Sequence, residues 1–144
     1  MTDKPTTTVT TIWQGGMKFS STDNYGHEVT TDAPATTGAS FEGLMPSQML
    51  LVALAGCSGI DVTAILQKQR QKLDGLEIKV SGKQNPSPPW FFQNIHLEYL
   101  LKGQNLNEPS IERAINLSEN KYCSVAKSLR SDCKLTSSYR IISN

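Results

Sequence analysis

Cysteine is scarce in this chain: Cys57, Cys123 and Cys133 are the three among 144 residues. That is too few for a disulfide-stapled secreted miniprotein. No Cys-x-x-Cys occurs, so a thioredoxin-type redox pair is excluded. An excess of one charge is missing too. Lys plus Arg is 14 against 13 for Asp plus Glu, which removes the electrostatic case for a dedicated nucleic-acid binder. The first 66 residues hold Lys4 and Lys18 against six carboxylates, but exposed charges are screened within about 10 Å, so this split implies no partner by itself. The longest apolar run, Met49 to Ala55, falls short of the about 20 residues of a membrane span. Residues 1–8 lack the charged-then-apolar pattern of a signal peptide. There is no Walker A motif and no Gly-x-Gly-x-x-Gly, hence no support for nucleotide binding. No internal repeat, heptad array or long linker divides the chain. The expectation is one globular domain over residues 1–144 in a reducing cytoplasm, with neither membrane nor nucleic acid as partner.

What is present alternates between strand and helix signals. Val9 to Trp13, Met17 to Ser21 and His27 to Thr31 are rich in Thr, Val and aromatics, with turns at Gly15-Gly16 and Asn24-Tyr25-Gly26, and read as strands. Residues 33–45 read as a loop broken by Pro34, Gly38 and Gly43. Pro46 opens the strongest helix. It is apolar on every side from Met49 to Cys57, the mark of a helix buried in a core or between partners. Farther on, Val62, Ile65, Leu66 and Leu73 are spaced for one face, with Gly75 as the stop. Leu76, Ile78 and Val80, then Ile95, Leu97, Tyr99 and Leu101, alternate with polar residues as two strands covered on one face. A second helical region begins near Pro109, where Ile111, Ile115, Tyr122, Val125 and Leu129 share a face if the helix is continuous. Ser118 to Lys121 is its weak point, and Cys123-Ser124 opens a new short helix if it breaks there. Cys133 to Ile142 is the last strand. The order βββ-α-ββ-α-α-β is an α+β domain.

Few residues offer chemistry. Cys57 lies among small residues in Ala55-Gly56-Cys57-Ser58-Gly59. It is either a small buried hydrophobe or a site approached closely by another helix or a substrate. Cys123 is either a packed thiol or a thiol at a helix N-terminus, where free backbone N–H groups favour the thiolate. Cys133 reads as core. His27 and His96 stand in strands without a second ligand at metal spacing, so neither a metal nor a catalytic histidine is expected. The Lys68, Arg70, Lys72 run suits a helix C-terminus and needs no partner.

Pro46-Ser47-Gln48-Met49-Leu50-Leu51-Val52-Ala53-Leu54-Ala55-Gly56-Cys57 is followed 66 residues later by Cys123 within Tyr122-Cys123-Ser124-Val125-Ala126. With Phe41-Glu42-Gly43 and the Ile95 to Tyr99 strand, this resembles the OsmC/Ohr family of osmotically induced and organic hydroperoxide resistance proteins, in a less characterised branch. The resemblance implies an intertwined homodimer, each subunit wrapping a sheet over a long central helix, with sites at the interface. It implies that Cys57 attacks a peroxide oxygen and that Cys123 resolves the sulfenic acid as a disulfide, which an external dithiol reduces. No metal or organic cofactor is implied. The partners would be a second copy, a small organic hydroperoxide or apolar ligand, and the dithiol.

The chain departs from the family's peroxidases at the groups that hold the thiolate. Ser47 stands where they carry Glu, with Gln48 next to it. Their Arg positions are filled by Met17 or Ser40, and Lys18 is the nearby cation. Without that pair, Cys57 in an apolar helix is expected to have a raised pKa and little thiolate. The function expected is a thiol-dependent reduction of organic hydroperoxides by Cys57 and Cys123, with Gln48, Ser47, Lys18 and Ser40 as supporting candidates. The alternative is a non-enzymatic dimer of the same fold that binds a small apolar ligand or senses redox state.

Overall fold

In the computed structural model, which describes residues 2–142, the Thr- and aromatic-rich start of the chain forms β1 (Thr10–Trp13), β2 (Phe19–Thr22) and β3 (Glu28–Thr31). They pair antiparallel in that order, with Trp13 opposite Phe19 and Phe19 opposite Thr31. Gly15, Gly16 and Gly26 take positive φ in the two turns, a conformation open to glycine without steric cost. The following loop is held by Asp32, whose carboxylate accepts the backbone N–H groups of Ala33 and Glu42 at 2.8 Å each. Met1–Leu50 form one compact unit and Leu51–Asn144 a second.

Helix α1 (Pro46–Lys68) buries a single stripe, Leu54, Ser58, Val62 and Leu66, four residues apart. This stripe joins Ile95, Leu97, Tyr99 and Leu101 in the hydrophobic core of the second unit. The latter four lie on β5 (Phe92–Gln104), which pairs antiparallel with β4 (Lys72–Gln84) and parallel with β6 (Lys134–Ile141). A parallel neighbour requires a crossover. It is built from α2 (Glu108–Leu117), a π-helical turn at Ser118–Tyr122, and α3 (Ser124–Ser128). Helix α2 starts where sequence places it: Asn107 caps it by accepting the N–H of Ser110 at 2.9 Å, and Pro109 sits in its first turn. Ile111, Ala114 and Ile115 of α2 complete the core. Helix α1 is long and apolar enough to cross a membrane by length and composition. A count of consecutive apolar residues missed this because Gly56, Ser58, Gly59 and Asp61 interrupt the run.

One expectation is corrected. Helix α1 ends at Lys68, so Gly75 is not its stop and Leu73 belongs to β4. Arg70 takes the left-handed conformation at φ 58°. The N–H groups of Arg70 and Gln71 donate to the carbonyls of Gln67 and Leu66 at 2.9 Å each, a Schellman closure with arginine in the usual glycine place. Gly75 sits instead at an irregularity in the β4–β5 register. The second helical region breaks at the weak point that the sequence marks, Ser118 to Lys121, and α3 opens at Ser124 as a new short helix; the π turn leaves Tyr122 exposed.

Candidate functional site

The break between α2 and α3 brings the second cysteine to the first. Cys123 leaves the π turn with extended backbone, ψ 104°, and caps α3, its sulfur accepting the N–H of Ala126 at 3.4 Å. It is fully buried, whereas Cys57 on α1 is half-buried. The two sulfurs and a carboxylate oxygen of Asp61 all lie within 4.8 Å of one another. Cys57 Sγ is also 3.8 Å from Ser124 Oγ. All three cysteines are free thiols, and Cys133 packs against the core outside this group.

The two thiols have opposite acidities. For Cys57, partial burial favours the protonated form, but the N–H of Val125, the Cys123 thiol, and the hydroxyl and N–H of Ser124 outweigh it and lower the pKa. Cys123 is pushed up to about 11, chiefly by burial and further by Cys57, against the opposing N–H of Ala126. Of the two, Cys57 is the more acidic thiol and Cys123 the one that holds its proton more tightly. The raised pKa expected for Cys57 is thus reversed, because its stabilising groups come from α3 and not from its own helix.

Behind the pair lies a buried row of hydroxyls. Ser118 Oγ, on the π turn, donates to Asp61 Oδ2 at 3.0 Å and lies 3.2 Å from Ser58 Oγ, which in turn bonds the Tyr99 hydroxyl. Burial raises the Tyr99 pKa, so this phenol stays protonated. Asp61 and Ser118 were missed in the sequence. The available signal was an acid one helical turn after Cys57 in an otherwise apolar helix.

The supporting candidates belong to the first unit. Met17, Lys18 and Ser40 line one cleft of about 610 Å³ together with Asp32 and Glu42. Lys18 pairs with Glu42 at 2.9 Å, which raises its pKa. Gln48 Oε1 accepts the N–H of Met45 at 3.1 Å at the start of α1, and Ser47 is half-buried in the same turn. The histidines also have partners: His27 bonds Asp23 at 2.8 Å, and His96 bonds Thr136 and Ser138 on β6 at 2.7 and 2.9 Å.

A family description, OsmC-like protein, matches residues 37–138. Protein YhfA of Escherichia coli K12 is 35% identical over 130 residues, covering 90% of this chain and 94% of that protein. The crystal structure of a hypothetical protein from Aquifex aeolicus superposes with a TM-score of 0.86 at 29% identity, covering 98% of this chain and 99% of that one. The organic hydroperoxide resistance protein OhrB of Bacillus subtilis shares the fold at a TM-score of 0.64 and 20% identity, over 94% of this chain and 98% of that one.

Proposed function

The chain belongs to the OsmC-like protein family, and from that premise we propose that it is a homodimeric thiol peroxidase, one OsmC-like domain over residues 1–144, that reduces organic hydroperoxides through Cys57 and Cys123. The observation that carries this reading is the approach of the two sulfurs to within 4.8 Å. A disulfide brings the sulfurs to about 2.05 Å, so side-chain rotation must close the gap between them. The Cys57 thiolate attacks the outer peroxide oxygen. The O–O bond breaks, the sulfur becomes a sulfenic acid, and the alkoxide leaves as alcohol after taking a proton. Cys123, with its proton released, attacks the sulfenic sulfur, expelling water and forming the disulfide. An external dithiol is then oxidised as it restores both thiols.

Turnover of cumene hydroperoxide with a dithiol reductant tests the cycle. Cys57→Ser should abolish turnover. Cys123→Ser should stop after one equivalent with a sulfenic acid that dimedone traps, and Cys133→Ser should leave the rate unchanged. Absence of turnover in the wild type, with an apolar molecule co-purifying by native mass spectrometry, would favour a ligand-binding dimer instead.

A further inference from the structure

Cys57, Asp61 and Cys123 present two sulfurs and a carboxylate oxygen within 4.8 Å of one another. We propose that in the reduced protein these three residues bind a zinc ion, with the fourth coordination position open beside the half-buried Cys57. Two thiols and a carboxylate are a donor set suited to a borderline-soft d¹⁰ cation, whereas magnesium and calcium require all-oxygen cages. Tetrahedral zinc with its usual bond lengths sets sulfur–sulfur and sulfur–oxygen separations of about 3.8 and 3.5 Å. The three groups therefore need to close by at most about 1.0 to 1.3 Å, within the range of side-chain rotation.

The supports of such a site are in place. Cys57 and Asp61 lie one turn apart on α1, so one rigid face carries two ligands. Cys123 arrives from the cap of α3 with its sulfur fixed by the Ala126 N–H. The Ser118 hydroxyl holds Asp61 through Oδ2, the kind of outer partner that orients a ligating carboxylate. None of the ion pairs among the described residues involves Asp61. Lys68 and Arg113 line the groove beyond it without pairing to it. Three potential anions thus converge with no cation bonded to them, and a divalent ion would offset two of those three charges.

Bound zinc holds both sulfurs as thiolates. Their oxidation by one hydroperoxide, with uptake of two protons, yields the disulfide, an alcohol, water and free zinc. That release rests on the peroxidase reading, but metal binding does not.

The test is equilibrium dialysis of the full-length, reduced, chelator-stripped protein against zinc sulfate, with metal content measured. One zinc per chain is expected. Cys57→Ser and Cys123→Ser should each weaken binding at least about 100-fold, Asp61→Asn about 10-fold, and Cys133→Ser not at all. Cobalt should give the intense visible bands of a tetrahedral site together with thiolate charge transfer, a readout on the wild type that does not depend on any variant folding. Substoichiometric zinc, octahedral cobalt, or binding unchanged in Cys57→Ser would overturn the proposal. Peroxide turnover of the metal-free protein, measured in parallel, separates the two readings. Turnover without zinc binding sinks this inference alone, and zinc binding without turnover sinks the peroxidase alone.

Discussion

Two thiols within 4.8 Å of each other share their ionisation, and the N-terminal end of α3 decides which of them keeps the proton. Cys57 has the lowered pKa and Cys123 the raised one, at about 11. In metal-free, reduced protein, iodoacetamide should therefore modify Cys57 at pH 7 faster than a free cysteine, with a midpoint below the ordinary value of about 8.5. Cys123 should stay unmodified until strongly alkaline pH. Peptide mapping across pH 6–10 checks this, and equal labelling of both would refute it. The linkage signs differ as well. The lowered Cys57 contributes stability above its unfolded pKa and loses it as pH falls through the folded value. The raised Cys123 contributes below its unfolded pKa and loses it as pH rises through about 11. The two cysteines were singled out together by the family resemblance, their neighbours alone leaving an inert and a reactive reading open for each. Their relative acidity was not legible, because sequence shows the apolar helix around Cys57 but not the N–H groups of Ser124 and Val125 brought to it by the fold. Asp61 escaped for the same reason: its partner Ser118 is 57 residues away.

Helix α1 shows how an element apolar all round still has a committed face. Its buried stripe faces β5, and Gly59 lets β4 come close, since a Cβ there would sit 3.2 Å from Ile78 Cδ1. Gly56 has no such neighbour, so the two small residues singled out together serve different surroundings. Leu54→Ala removes a side chain from the stripe and should cost about 2–5 kcal/mol in urea unfolding. A loss under about 1 kcal/mol would mean the stripe is not the anchor. The start of α1 was readable from Pro46, and the weak point before Cys123 from Ser118 to Lys121. The end of α1 was not, because Arg70 adopts the conformation that glycine usually signals. The π geometry was equally hidden. It depends on the Cys123 N–H reaching back to Ser118 at 2.8 Å, and no local preference announces such a bond.

At the scale of the whole molecule, the first unit lacks a core of its own. All four residues of β1 are exposed, with Ile12 at 59% and Trp13 at 64%, and Asp32 is the one buried residue described in that unit. A three-stranded sheet needs an apolar face packed against something to be stable. On α1, Ile60 is 71% exposed. These surfaces support the proposed two-fold dimer, with well over about 2,000 Å² buried in total. Sedimentation at micromolar concentration should show a dimer, and Ile60→Asp should shift it toward monomer while circular dichroism stays unchanged. A wild-type monomer would contradict it. The element order was readable because strand and helix periods change sharply at Pro46 and Pro109. The parallel pairing of β5 with β6 was not, since alternation marks a strand but not its direction.

The placement of Cys57 and Cys123 has a mechanical consequence. Between them runs the chain that holds the rest of α1, all of β4 and β5, and α2. A covalent link across that interval works as a clasp on most of the second unit, closing a loop of more than sixty residues and stripping freedom from the unfolded chain. Such closure is worth about 4 kcal/mol. The oxidised protein should therefore melt several degrees above the reduced one. Heat resistance would then report its redox state directly, with the thiols themselves never assayed.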